Sequence, residues 1–252
     1  MMLLSLVVHL ARETHRLAGL RAGLDCLRKA LPYAFEVVVV VDPAAAPAVR
    51  RAAGPSWQVL EQDERGRGPA LRLGMRVARG RYRALIDPAW TVAPEQLQLL
   101  LPPAVSDFDV AVASRHLSGS SRRSEPWTSF VVGRAFNRLA RAVAVPGIHD
   151  THCGYMVFRA EAAHALFDRS EEMGWGVDLE VLAMARAFGL AVREVPVDWD
   201  FDPETRKSLS FDGPDLLAAM LRIRARLTTG EVEPLVTTHL GEPGERSEVH
   251  SA

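Results

Sequence analysis

Two aspartates, Asp42 and Asp87, each follow directly on an apolar run and precede a proline. Open α/β sheets bind ligands beyond the carboxyl ends of their strands, so carboxylates at those two places suit one shared crevice. Asp-Pro is also a frequent turn starter, and the residues alone allow either use. A second candidate is the stretch ERGRGPALRLGM at residues 64–75, a glycine-rich loop running into a helix start. Its backbone N–H groups suit an anion, with Arg65 or Arg67 adding charge. A plain loop before a helix is the competing reading. Neither a P-loop nor a dinucleotide fingerprint is present.

Two further segments carry titratable groups. HDTHCGYMVFR at 149–159 mixes His, Asp, Thr and Cys, and a zinc site on His149, His152 and Cys153 is one reading. It lacks a second ligand pair at zinc-like spacing. GWGVDLEVLAMA at 174–185 sets Asp178 and Glu180 at a helix start. The helix dipole alone accounts for acids there, while a carboxylate facing a hydroxyl could act as general base. Arg115, Arg122 and Arg123 fall in a Ser/Gly-rich stretch, where arginine is either solvated or able to close over an anion.

Strands alternating with helices must position these groups. Apolar runs predict strands at 3–8, 36–41, 57–60, 83–86, 109–113, 155–159 and 192–197. Leucines at 17, 20, 24, 27 and 31 form one helical stripe over 16–31. Further helices are expected through Arg51, from Pro69 to about Arg79, and over 94–101, 129–143, 161–167, 177–188 and 212–226. The alternation implies an α/β fold, a Rossmann-like, mostly parallel sheet with helices on both faces, the second half being less regular. Residues 114–126 read as a mobile loop. The chain reads as one domain over 1–227 with a polar, disordered tail over 228–252.

Composition narrows the class. With 48% hydrophobic and 24% charged residues, the chain is globular rather than disordered or rod-like. A net charge of −1 argues against nucleic-acid binding through bulk charge. Two cysteines, Cys26 and Cys153, make no disulfide framework, so a reduced cytoplasmic compartment is expected. The apolar runs are too short for a membrane span.

The order of the motifs is more specific than any one of them. DTHCGYMVFRAEAAHALF, then GWGVDLEVLAMARAFGLAVREVPVDW, with VASRH, RAFNRLAR and GRGPALRLGMRVARG, resembles the family 2 inverting glycosyltransferases of the GT-A fold. The dolichol- and polyprenyl-phosphate mannosyl- and glucosyltransferases are the look-alikes, and the resemblance runs from Leu3 to Arg226. It implies transfer of a hexose from a nucleotide-diphosphate sugar to an acceptor such as a polyprenyl phosphate, reached by peripheral membrane contact or through a membrane partner. A soluble acceptor is the alternative.

The resemblance also implies roles. Glu13 matches the acid after the first strand, and Asp42 the first carboxylate of the nucleotide-binding turn. Asp87 matches the first carboxylate of the DxD motif, which holds Mg2+ or Mn2+ on the donor diphosphate. Arg67 and Arg115 would meet donor or acceptor phosphates, and Lys207 the phosphate side. Asp150 is the implied base, with Asp178 and Glu180 as rival or supporting carboxylates. The chain departs from the pattern at VDPAA, at Asp87-Pro88-Ala89, at HLARE, and at Ser129 and Gly133. The lost second carboxylate weakens the cation clamp, and arginines could neutralise the leaving diphosphate instead. A degenerate transferase fold acting as a nucleotide-sugar-binding or regulatory protein is the alternative function.

Overall fold

The computed structural model describes residues 2–204 and 213–232. Its centre is a seven-stranded sheet in the order β3-β2-β1-β4-β7-β5-β8. The strands are β1 (Leu4–Ala11), β2 (Phe35–Val41), β3 (Trp57–Glu61), β4 (Tyr82–Ile86), β5 (Val110–Ser114), β7 (Met156–Arg159) and β8 (Val192–Pro196). The helices are α1 (Leu17–Ala30), α2 (Ala46–Ala52), α3 (Arg67–Val77), α4 (Trp127–Val143), α5 (Ala160–Phe167), α6 (Gly176–Ala187) and α7 (Gly213–Thr229).

Valine runs explain the centre. Val37 to Val41 are all buried, as a strand covered on both faces requires. Alternate residues serve opposite faces. Val38 and Val40 join Val7, Leu85 and Phe158 in one core with α3, α5, α6 and α7. Val37 and Val39 join Leu6, Val8 and Ala84 in the other core, under α1 and α2.

The sheet is mostly parallel, as expected, and three other expectations need correction. The exception to parallel pairing is β7, which runs antiparallel to both β4 and β5. That reversal brings the start of β7, and the residues before it, to the carboxyl ends of its neighbours. The stretch 114–126 is not all loop. It holds β6 (Ser121–Arg123), which pairs in parallel with β9 (Asp198–Asp200) as a second small sheet. Residues 94–100 form a 3-10 helix rather than an α-helix. Finally, α7 runs through Thr229, into the expected tail. Residues 233–252 and Lys207 lie outside the described residues.

Helix α3 starts at Arg67, with Pro69 in its first turn, where a missing N–H costs little. Two glycines before Pro69 set its position. Gly66 has φ +128, and a Cβ on Gly68 would lie 1.8 Å from the Glu172 carbonyl oxygen. The Gly68 N–H donates to the Met173 carbonyl at 2.9 Å. The glycine-rich loop is therefore locked against the turn that leads into α6.

Candidate functional site

A cavity of about 1130 Å³ opens at the carboxyl edge of β1 and β4. Strands β2 and β4 both lie parallel to β1, so Asp42 and Asp87 emerge at the same end of the sheet. Only Asp87 lines the cavity. Its Oδ1 accepts from the Ala89 N–H at 3.0 Å and its Oδ2 from the Thr91 hydroxyl at 2.9 Å. Asp42 instead pairs with Arg12 at 2.8 Å and accepts from Gln62 at 2.9 Å. Burial would raise its pKa, but the hydrogen bonds and the Arg12 charge win and lower it. The expectation of two equivalent carboxylates thus holds for strand position and fails for the cavity wall.

Glu13 lines the cavity and meets Arg16 at 3.2 Å. Burial raises its pKa; Arg16 opposes the rise, and the Asp87 charge adds to it. Arg16 also pairs with Asp202, another lining residue, at 2.8 Å. Neither Arg16 nor Asp202 stands out in the sequence, because 186 residues separate them.

The opposite wall is built from braced arginines. Arg115 meets Asp150 through two side-chain hydrogen bonds of 2.7 and 2.8 Å, and its backbone N–H adds a third at 2.8 Å. The guanidinium carbon lies 5.0 Å from the Trp199 ring centroid. Asp150 is fully buried and does not line the cavity. Burial would raise its pKa, but the Arg115 charge and hydrogen bonds hold it well below the usual range. The residue expected as the base is thus set behind the cavity wall, with its carboxylate engaged by Arg115.

Arg67 repeats the arrangement with other partners. It meets Asp178 at 3.1 Å and lies 4.7 Å from the Trp175 ring centroid. Both Arg67 and Asp178 line the cavity. Asp178 sits in the first turn of α6, committed to Arg67. Glu180 does not reach the cavity. Buried on α6, it accepts from the Glu171 and Glu172 N–H groups and from Arg226. Burial raises its pKa. The structure therefore ties Glu180 to the turn before α6.

Arg122 also lines the cavity, paired with Glu125 at 2.7 Å and lying 5.6 Å from the Trp199 ring centroid. Arg65 and Arg123 are exposed and off the wall. Burial pushes His9, His116 and His152 each down to about 4, so these imidazoles add no positive charge at neutral pH. Positive potential on the wall therefore comes from arginine.

The zinc reading does not fit. His149 points away to Glu194 at 2.8 Å, while His152 and Cys153 line the cavity. Among the described residues, no three His, Cys, Asp or Glu side chains are placed to hold a metal. Each Asp87 oxygen accepts one hydrogen bond, leaving acceptor capacity on both. That donor set fits a cation brought in on a ligand's phosphates, with Asp87 as the protein carboxylate, rather than one caged by protein.

A mostly parallel sheet with helices on both faces and a ligand cavity at its carboxyl edge is the GT-A arrangement. Glucosyl-3-phosphoglycerate synthase of Mycobacterium tuberculosis, solved with Mn2+, UDP and glucosyl-3-phosphoglycerate, superposes with a TM-score of 0.67. The match covers 89% of this chain and 80% of that one at 15% identity, a likeness of fold. The sequence model for Glycosyl transferase family 2 matches residues 12–167, and the chain belongs to that family. Among relatives, glycosyltransferase AglD of Haloferax volcanii is 30% identical over 86% of this chain and 35% of its own length. A dolichyl-phosphate beta-glucosyltransferase of Drosophila melanogaster is 32% identical over 66% of this chain and 56% of its own. The chain thus spans between about a third and just over half of these relatives. Among the described residues, no helix is long and apolar enough to cross a membrane.

Proposed function

We propose that the chain transfers a hexose, with inversion, from a nucleotide-diphosphate sugar to a polyprenyl phosphate. The observation that carries this reading is the commitment of the three expected base carboxylates. Asp150, Asp178 and Glu180 are each engaged by an arginine. An acceptor hydroxyl needs a base; a phosphate oxygen is already anionic and does not. The dolichyl-phosphate relative supports the same acceptor class.

In the proposed step, an acceptor phosphate oxygen forms a bond to the anomeric carbon from the face opposite the donor diphosphate. The bond from that carbon to the diphosphate breaks, and the nucleoside diphosphate leaves with the electron pair. Arg115, Arg122 and Arg67 hold phosphate oxygens through their free N–H groups, each kept in place by a carboxylate and an aromatic face. Glu13 and Arg16 line and brace the donor side, and Asp42 supports the nucleotide-binding turn from behind the wall. Asp87 would hold Mg2+ or Mn2+ on the diphosphate, and such an ion would offset the charge that develops as the diphosphate leaves. The Mn2+ and UDP of the mycobacterial synthase support this assignment. Catalysis would take place beside the membrane that carries the acceptor.

The test is formation of a lipid-linked sugar from labelled UDP-glucose or GDP-mannose, polyprenyl phosphate and Mn2+ or Mg2+. Label in the lipid fraction, lost in Asp87→Asn, is expected. Donor binding without any transfer would leave a nucleotide-sugar-binding protein and overturn the reading.

A further inference from the structure

The outer face of α4 has no evident use in the folded chain. Of its 17 residues, only Asn137 and Ala140 are buried. The exposed residues include Trp127 at 74% and Val132 at 59%, with Val131 and Leu139 also exposed. Trp127 stacks on Phe130 at 5.8 Å, so the end of the helix presents an aromatic pair. Helix α7 touches α4 and adds Leu217 and Leu221 to the exposed apolar set, the latter 65% exposed. Apolar side chains placed together on a surface mark an interaction site.

The charge on α4 has one sign, while the start of α7 carries one exposed acid, Asp215. Between Trp127 and Val143 there are three arginines, Arg134, Arg138 and Arg141, and no acid. Trp127, Val131, Arg134 and Arg138 follow steps of four, three and four, which place them along one stripe of the helix. Among the described residues, none of the three arginines has a carboxylate partner. Helix α7 adds Arg224. An aromatic and aliphatic stripe interleaved with arginine suits the interface of a bilayer carrying anionic lipid. The face borders the cavity through Val132, which is exposed and also lines it. Thr128, Ser129 and Phe136 of α4 and Leu216 of α7 line the cavity from the other side of these helices.

We infer that the outer faces of α4 and α7 dock on an anionic lipid bilayer and set the cavity mouth against it. The inference deepens the proposed function, since a mouth facing the bilayer lets the phosphate end of a membrane-held acceptor enter while its chain stays in lipid. Docking by apolar insertion alone would not need the arginines. Docking by charge alone would not need Trp127 and Val131.

The experiment is co-sedimentation of the full chain with vesicles, of phosphatidylcholine alone and of phosphatidylcholine mixed with phosphatidylglycerol. Preferential binding to the mixed vesicles, weakened by added salt, is expected. Trp127→Asp with Val131→Asp, and separately Arg134→Glu with Arg138→Glu, should each lower that binding by about tenfold or more. All four positions are exposed, so thermal midpoints should stay near that of the unaltered chain, which separates lost docking from lost folding. Arg21→Glu, on α1, should bind as the unaltered chain does. Absent binding to mixed vesicles, or binding that both double variants retain, would overturn the inference. So would a dimer seen by sedimentation velocity that the same variants abolish, without vesicle binding, because the face would then belong to a second copy. Transfer to a short-chain, water-soluble prenyl phosphate is measured in parallel. If that fails while vesicle binding holds, the proposed reaction falls and the docking face stands.

Discussion

The two walls of the cavity handle charge in opposite ways. On the wall formed by the ends of β1 and β4, Asp87 is held by a backbone N–H and a hydroxyl, both neutral donors. Its negative charge remains for a ligand. On the other wall, Asp150 and Asp178 are each bound by an arginine, and those two arginines line the cavity. The partner decides the role of a carboxylate. With neutral donors its charge is left uncompensated; with a guanidinium it is paired. In the proposed function the first arrangement would serve a cation and the second an anion.

The largest effect should come from breaking a brace. Asp150→Ala leaves Arg115 buried without its carboxylate, and loss of one partner of a buried pair costs about 3–5 kcal/mol. Chemical denaturation should show this as a lower midpoint. A loss under about 1 kcal/mol would mean that the pair is as weak as an exposed one.

Asp87→Asn tests the other wall. The amide oxygen can keep the Ala89 N–H bond, and the Thr91 hydroxyl can turn to accept from the amide NH2, so the fold should persist. Transfer should fall about a hundredfold or more, about 2.7 kcal/mol of transition-state stabilisation. Steady-state kinetics over a range of Mn2+ concentrations would show whether the loss lies in the metal-dependent step.

The Arg67–Asp178 brace can be compared with the Arg115–Asp150 brace by a double-mutant cycle using Arg67→Ala and Asp178→Ala. Contacting pairs of this kind couple by about 0.5–3 kcal/mol. Less coupling is expected here than for Arg115–Asp150, because Arg67 makes contacts of 3.1 and 3.3 Å to Asp178 with a single nitrogen.

Acid should weaken the fold in two stages. His9, His116 and His152 have folded pKa values of about 4 against an ordinary 6.5, so the unfolded chain takes up protons first and stability falls as pH drops through that window. Asp150 then adds a loss below its ordinary value of 3.8, as pH falls towards its depressed folded pKa. Thermal midpoints from pH 7 to 4 should trace the first stage, and His152→Gln should flatten it. A midpoint that does not change over this range would contradict the buried, neutral imidazoles.

The smallest effect is expected at Asp42. Its partner Arg12 is 62% exposed, and Arg12→Ala should cost about 0–1 kcal/mol. A larger loss in donor affinity than in stability would draw Asp42 into the working site.

Much of this scaffold was legible in the sequence, because a covered strand needs an unbroken apolar run and Val37 to Val41 supply one. Strand direction was not. Met156 to Arg159 reads the same whichever way it runs, and only the path of the preceding chain makes β7 antiparallel. Strand β6 was hidden because Ser121, Arg122 and Arg123 are polar. The place of Asp87 followed from the end of a strand. The roles of Asp150 and Asp178 did not, since the partners Arg115 and Arg67 stand 35 and 111 residues away. Burial and pairing set the expected base behind the wall and against an arginine, and residue type could not reveal that. Trp175 and Trp199, which face the two arginines, belong to the quoted segments GWG and VPVDW, but no spacing rule ties either to its arginine.

Calorimetric titration of UDP-glucose and GDP-mannose, with and without Mn2+, into the unaltered chain and into Asp87→Asn tests the central division of the cavity most directly. One donor should bind the unaltered chain more tightly with the metal, and Asp87→Asn should remove the metal's contribution while leaving weaker, metal-independent binding on the arginines. Equal binding by both proteins with and without Mn2+, or no binding of either donor, would contradict that division.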